Sequence, residues 1–106
     1  MESSICTTAI EENSVSAYVL VELQVINPEA KARYSSVAGA TVRSHGGEFI
    51  AGGEWEMLTG DAGLPVGIII RFPDRQSAMN WYHSSEYQAL VADRSTAMIC
   101  RFRLLS

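Results

Sequence analysis

Residues 17–26 read AYVLVELQVI, and Asn27-Pro28 follows at once. In an extended chain alternate side chains point to opposite faces, so Val19, Val21, Leu23 and Val25 share one apolar face. Tyr18, Leu20, Glu22 and Gln24 share the other, which is mixed. Apolar and β-branched residues at this density, with alternation at the centre, predict a strand. Asn27 can accept a hydrogen bond from a free amide at a helix start, and Pro28 at the first helical position sacrifices none. One strand therefore hands over directly to one helix. Ala30, Tyr34, Val37, Ala38 and Thr41 or Val42 then recur at helical spacing. Gly46-Gly47 ends that helix with a residue able to take positive φ.

C-terminal to that turn, Glu48 to Ala51 reads as a short strand, followed by Gly52-Gly53 and a second extended piece, Glu54 to Leu58. The pair is either a hairpin or one bulged strand. TGDAGLP (residues 59–65) is a loop by its Gly, Asp and Pro content. Val66 to Phe72 is a third main strand, and its Ile68-Ile69-Ile70 run predicts burial on both faces. Pro73-Asp74 opens a second helix with Asp74 as cap and Ala78, Met79, Trp81 and Tyr82 as packing surface. Ser84-Ser85 interrupts it. Ser85 with Gln88 three residues on fits a capping box for a further short helix, through about Asp93. From Ala97 to Leu105 the chain alternates again. Met98, Cys100, Phe102 and Leu104 fall on one face; Ile99, Arg101, Arg103 and Leu105 fall on the other.

The order is β-α-β-β-α-β with an extra short helix before the last strand. That order predicts an α+β fold, a ferredoxin-like sandwich built on the split βαβ unit. Its four-stranded antiparallel sheet carries both helices on one face, leaving the second face uncovered. On that face Tyr18, Leu20, Ile69, Ile99 and Leu105 would stand among Glu22, Gln24, Arg71, Arg101 and Arg103. The apolar portion exceeds what monomers usually expose. Two copies packed sheet to sheet would bury it, so a homodimer forming a dimeric α+β barrel is expected.

With 106 residues there is room for one domain. Residues 1–15, rich in Ser, Thr and Glu, read as a flexible N-terminal leader, and residues 16–106 as a single domain. The formal net charge of −4 and the scattered Lys and Arg give no basic stripe, which argues against nucleic acid. No apolar run approaches a bilayer span, so no membrane partner is expected. Cys6 and Cys100 stand far apart, with no disulfide framework or metal knuckle. With no secretory signal at the start, the expectation is a cytoplasmic protein with reduced thiols.

Chemistry-bearing residues are few. His45, in the last turn of the first helix, reads as a cap; His83 reads as a solvent-facing position. Neither has an acidic companion at ligand spacing, so no metal site is predicted. Glu54 and Glu56 share one face of a short strand, which is no basis for an acid–base pair. In a ferredoxin-like sheet the first strand lies between the third and fourth, so Glu22 could be flanked by Arg71 and Arg101. That is either an anion-orienting cluster or an ion-pair network offsetting burial, and the network is the favoured reading. Trp81, Tyr82 and Tyr87 read as core aromatics, with Tyr82 or Tyr87 at a pocket mouth against Arg94 as the alternative.

The run AYVLVELQVINPEAKARY, the later HGGEF and GGEWEML, and RFPDRQSAMNWYHSSEYQAL with Arg94 resemble the bacterial domain-of-unknown-function family numbered 1330. The likeness covers roughly residues 16–104 and is carried best by Phe72-Pro73, Trp81-Tyr82, Ser84, Glu86-Tyr87 and Arg94 in that order. The sequence departs from the pattern at Thr59, Val66, Arg71 and Ser85. The resemblance implies a dimeric α+β barrel, a superfamily that includes haem-degrading and quinone-forming monooxygenases and muconolactone isomerases. The expected function is therefore handling of a small organic molecule, by an enzyme needing neither metal nor bound cofactor. The alternatives are a non-catalytic ligand-binding or accessory domain, or a structural homodimer with a filled barrel. Catalytic residues are not assigned. A small, anionic ligand is expected at the open end of the barrel near a Gly52-Gly53 bulge, with Arg94 as main contact and Tyr82 or Tyr87 beside it. Glu54, Glu56 and Glu86 are the intramolecular partners that could take Arg94 instead.

Overall fold

In the computed structural model, which describes residues 16–106, the alternating first segment is strand β1 (Ala17–Val25) at the inside of a sheet. It pairs antiparallel with β3 (Val66–Phe72) on one side and β4 (Met98–Leu105) on the other. Strand β2 (Glu48–Glu54) pairs with β3, giving the order β2-β3-β1-β4. Helix α1 (Pro28–Ser44) and helix α2 (Arg75–His83) connect these strands as the α+β ferredoxin-like order requires. Two short helices, α3 (Ser85–Gln88) and α4 (Val91–Ala97), precede β4.

The local signals act as read. Asn27 Oδ1 accepts from the Ala30 amide at 3.0 Å, and Asp74 Oδ1 accepts from Ser77 at 2.7 Å. Gly46 leaves α1 at φ +83, a backbone a side chain would strain. Val19, Val21 and Leu23 from β1, Ile70 and Phe72 from β3 and Met98 from β4 meet Ala30, Tyr34, Ala38 and Val42 of α1 and Trp81 of α2 in one core.

Five details differ from the sequence reading. Val37 is exposed on α1 while Gly39 is buried, because the covered stripe is centred between residues 38 and 42. Val25, the last residue of β1, is likewise exposed though still paired with Met98. Glu48–Glu54 is one bulged strand, the register shift lies between Phe49 and Ala51 rather than at Gly52-Gly53, and Trp55 to Leu58 leaves the sheet. Ser84, not Ser85, caps α3: its hydroxyl accepts from the Tyr87 amide at 3.1 Å and donates to the Trp81 carbonyl at 2.8 Å. The last helical segment runs on through Ala97, so β4 begins at Met98. Of the three isoleucines of β3, Ile70 is buried and Ile68 and Ile69 are partly covered.

Candidate functional site: a cavity beneath the first helix

Helix α1 packs along α4 and touches α3, and its buried side chains share the core with the sheet. A cavity of about 330 Å3 lies between helix and sheet. Val21, Leu23, Ile68, Ile70, Met98 and Phe102 form its floor, Phe49 and Trp81 its sides, and Tyr34, Ser35, Ala38 and Gly39 its roof. Trp81 is only 1% exposed and donates from Nε1 to Thr41 Oγ1 at 3.0 Å, which fixes α2 against α1. Its ring lies 4.5 Å from that of Tyr87 and 5.4 Å from that of Phe72.

At the β4 side of this cavity the polar groups form a chain. Arg94 Nη1 donates to Tyr87 Oη at 3.0 Å and to Tyr82 Oη at 3.2 Å. Tyr87 Oη lies 2.5 Å from Tyr34 Oη. The guanidinium carbon sits 4.9 Å from the Phe102 ring centre, within cation–π range. Proton bookkeeping orders the chain. Either hydroxyl of the Tyr34–Tyr87 pair can donate to the other. Since Tyr87 accepts from Arg94, the order in which Tyr87 gives its own proton to Tyr34 is the one that frees the Tyr34 proton. Tyr34 lines the cavity. Burial raises the Tyr34 phenol, the neighbouring Tyr87 adding to it. Burial also raises Tyr87, against its hydrogen-bond contacts with Tyr34 and Arg94. Both stay neutral donors. Burial disfavours the charge on Arg94, but the Tyr82 and Tyr87 hydroxyls more than restore it and its pKa is raised. Cys100, on the same face, is a half-buried thiol held up by burial against the pull of Arg94.

The opposite face of the sheet is organised differently. Glu22, with a side chain 14% exposed, takes Arg101 Nη2 on Oε1 at 2.5 Å and Arg103 Nη2 on Oε2 at 3.4 Å. The Leu64 amide also points at Oε1, 3.4 Å away. The carboxyl is held below the usual range, first by the Arg101 hydrogen bond, with burial opposing and Leu64 and the Arg charges assisting. Residues 55–64 fold over this face and enclose a wetter hollow with Leu20, Glu22, Arg101 and Arg103. Trp55 lies directly on Gly67, where any side chain would collide with the indole.

Residues 16–106 match the family described as Domain of unknown function (DUF1330). The chain belongs to that family. No curated protein matches the sequence. Among solved structures, the RPA0582 protein of unknown function from Rhodopseudomonas palustris superposes with a TM-score of 0.70 at 20% identity, over 95% of this chain and 90% of its own. SnoaB, a cofactor-independent oxygenase from Streptomyces nogalater, gives 0.63 at 9% identity over 88% and 93%. A dabb family protein with a ferredoxin-like fold from Mesorhizobium loti gives 0.58 at 11% identity over 86% and 95%. These structures share the fold, described for the last of them as ferredoxin-like.

The DUF1330 chain gathers some of its sequence-predicted site residues and separates others. Arg94, Tyr82 and Tyr87 meet. Glu22 meets Arg101, its direct cross-strand partner, but not Arg71. The register sets Arg71 opposite Tyr18 and Gly67 opposite Glu22, so Arg71 sits about 13 Å farther along and pairs with Glu48 instead. Gly52 and Gly53 lie on β2, lining a shallow recess with Trp55, Gly67 and Ile69. They do not approach Arg94, because α4 runs into β4 and β2 and β4 are opposite edges of the sheet. Among the described residues Arg94 has no ion pair with Glu54, Glu56 or Glu86. His45 Nδ1 lies 2.9 Å from the Thr41 carbonyl and closes the end of α1; His83 is exposed beside Tyr82. Among the described residues no three His, Cys, Asp or Glu gather as metal ligands, and no helix is long and apolar enough to cross a membrane. The leader and Cys6 lie outside the described residues. Sequence reasoning took Tyr34 as a packing residue and missed its role. The available signal was a tyrosine on an apolar helical stripe, whose hydroxyl needs a partner when buried.

Proposed function

We propose that this domain binds a small, largely apolar organic molecule in the cavity beneath α1, with Tyr34 donating to an oxygen acceptor on it. The observation that carries the reading is the run of contacts from Arg94 through Tyr87 to Tyr34, the last of which lines a mostly apolar cavity. Small-molecule sites combine mostly apolar linings with a few placed polar groups, and a cavity of about 330 Å3 is within their range. A second reading, a cofactor-independent enzyme, is favoured by the same chain. A phenol backed by a guanidinium is suited to stabilise an oxyanion developing on a carbonyl or enolate. SnoaB, of the same fold, is such an enzyme by description. We further propose that two copies pack through the open sheet face, where Ile99 and Leu105 are exposed and Tyr18, Leu20 and Ile69 half-covered.

The test compares 2-acetylnaphthalene with 2-ethylnaphthalene, which lacks the acceptor oxygen, by Trp fluorescence quenching. The ketone should bind about tenfold tighter, the worth of one buried hydrogen bond. Tyr34→Phe should remove that difference and leave hydrocarbon binding intact. Equal binding of both compounds by the unaltered protein overturns the reading. Consumption of an acceptor-bearing ligand, slowed in Tyr34→Phe, would select the enzyme over the binding domain.

A further inference from the structure

The chain carries 12 acidic and 8 basic residues, yet the cavity beneath α1 is bordered by two cations, Lys31 and Arg43, and by no acid. Neither cation is in an ion pair among the described residues. The guanidinium of Arg43 folds back along the helix over Gly39. A methyl group added at Gly39 would lie 3.4 Å from Arg43 Nη1 and 3.5 Å from Nη2. A side chain at residue 39 would stand in ordinary contact with this guanidinium, which lies against α1 at the rim, one turn beyond Ser35. A planar guanidinium with paired donors suits the two oxygens of a carboxylate, as it does those of a phosphate. Inward from the rim the lining is aromatic and aliphatic, with Phe49, Trp81 and Phe102 as flat walls.

We infer that the ligand of this cavity is an amphiphilic carboxylate: the carboxylate held at the rim by Arg43, with Lys31 adding positive field, and a flat apolar body running inward toward Tyr34. This rests on the cavity being a binding site, as proposed above, and adds the charge and direction of what enters it.

The probes are 4-phenylbutyrate and its uncharged counterpart 4-phenyl-1-butanol, titrated calorimetrically into the full chain and into Arg43→Met, which keeps the aliphatic stem. The carboxylate should bind about tenfold tighter than the alcohol, as hydrogen bonds to a charged group allow. Arg43→Met should erase that preference without weakening the alcohol, and 0.5 M salt should act in the same direction. If the alcohol binds as well as the carboxylate, or Arg43→Met keeps the preference, the carboxylate assignment is overturned while the cavity reading stands. If neither compound binds and the naphthalenes above do not either, both fail together.

Discussion

On the helix-covered face Arg94 meets two phenol hydroxyls and a phenyl ring, whereas on the open face Arg101 and Arg103 share the carboxylate of Glu22. Both arrangements satisfy guanidinium groups, but they leave different things behind. A carboxylate partner neutralises the charge and ends the network. A phenol partner passes the polarisation on, since each hydroxyl that accepts still has a proton to give. The covered face therefore brings a hydroxyl network to the lining of a mostly apolar cavity. On the open face the same residue type, paired and exposed, contributes little to stability, and its partner Glu22 accepts from the Leu64 amide, tying residue 64 to the sheet.

The largest expected effect separates the two faces by their tryptophans. Trp81→Ala removes a side chain buried among Phe72, Tyr87 and Phe102 and should lower unfolding free energy by about 3–5 kcal/mol. Trp55→Ala, on the open side and 43% exposed, should cost much less. Urea denaturation of both variants measures the contrast, and similar losses would break it. Next comes self-association. Ile99→Lys places a charge on the open face, where burial against a second copy would cost several kcal/mol. Val37→Lys places one on the exposed side of α1. Sedimentation should show Ile99→Lys shifted to monomer at micromolar concentration and Val37→Lys unchanged. A monomeric parent protein would remove the dimer from the comparison altogether.

Much of this was legible in the sequence, and the limit is instructive. Period-two alternation in residues 17–25 and 98–105 marks the two faces of β1 and β4, Val25 apart, because register on a half-buried sheet is fixed by which side chains avoid water. Caps at Asn27 and Asp74 were legible because their hydrogen bonds are local. Arg94, Tyr82 and Tyr87 were grouped from the resemblance and do meet. What failed needed non-local geometry. The distance of Arg71 from Glu22 depends on a register that face assignment leaves open by even steps, so the two stay on one face while four residues apart. The cavity depends on how α1 sits between α4 and the sheet, which no periodicity encodes. Tyr34 joins Tyr87 across 53 residues of chain, and its helical spacing marked it only as buried.

The smallest expected effect is the acid response of the open face. Glu22 faces Arg101 and Arg103, and the hollow around it is also bordered by Glu56 and Asp61. Because its folded carboxyl is held below the ordinary value of about 4.3, it binds a proton more readily in the unfolded chain. Its contribution to stability is therefore fully present above that value and fades as pH falls through the lower, folded one. The covered face offers no matching response there, since Arg94 stays charged and the Tyr34 and Tyr87 phenols stay neutral throughout. Asp74, also lowered through its bond to the Ser77 amide, titrates in the same window and must be subtracted. Glu22→Gln does this, because it leaves Asp74 in place while removing the titration at residue 22. Urea midpoints of the parent and Glu22→Gln, compared from pH 6 to pH 3, should converge toward the acid end. Arg94→Met measured over the same range should differ from the parent by a constant amount. Parallel profiles for Glu22→Gln, or a pH-dependent gap for Arg94→Met, would show that charge on the two faces is not divided as their contacts indicate.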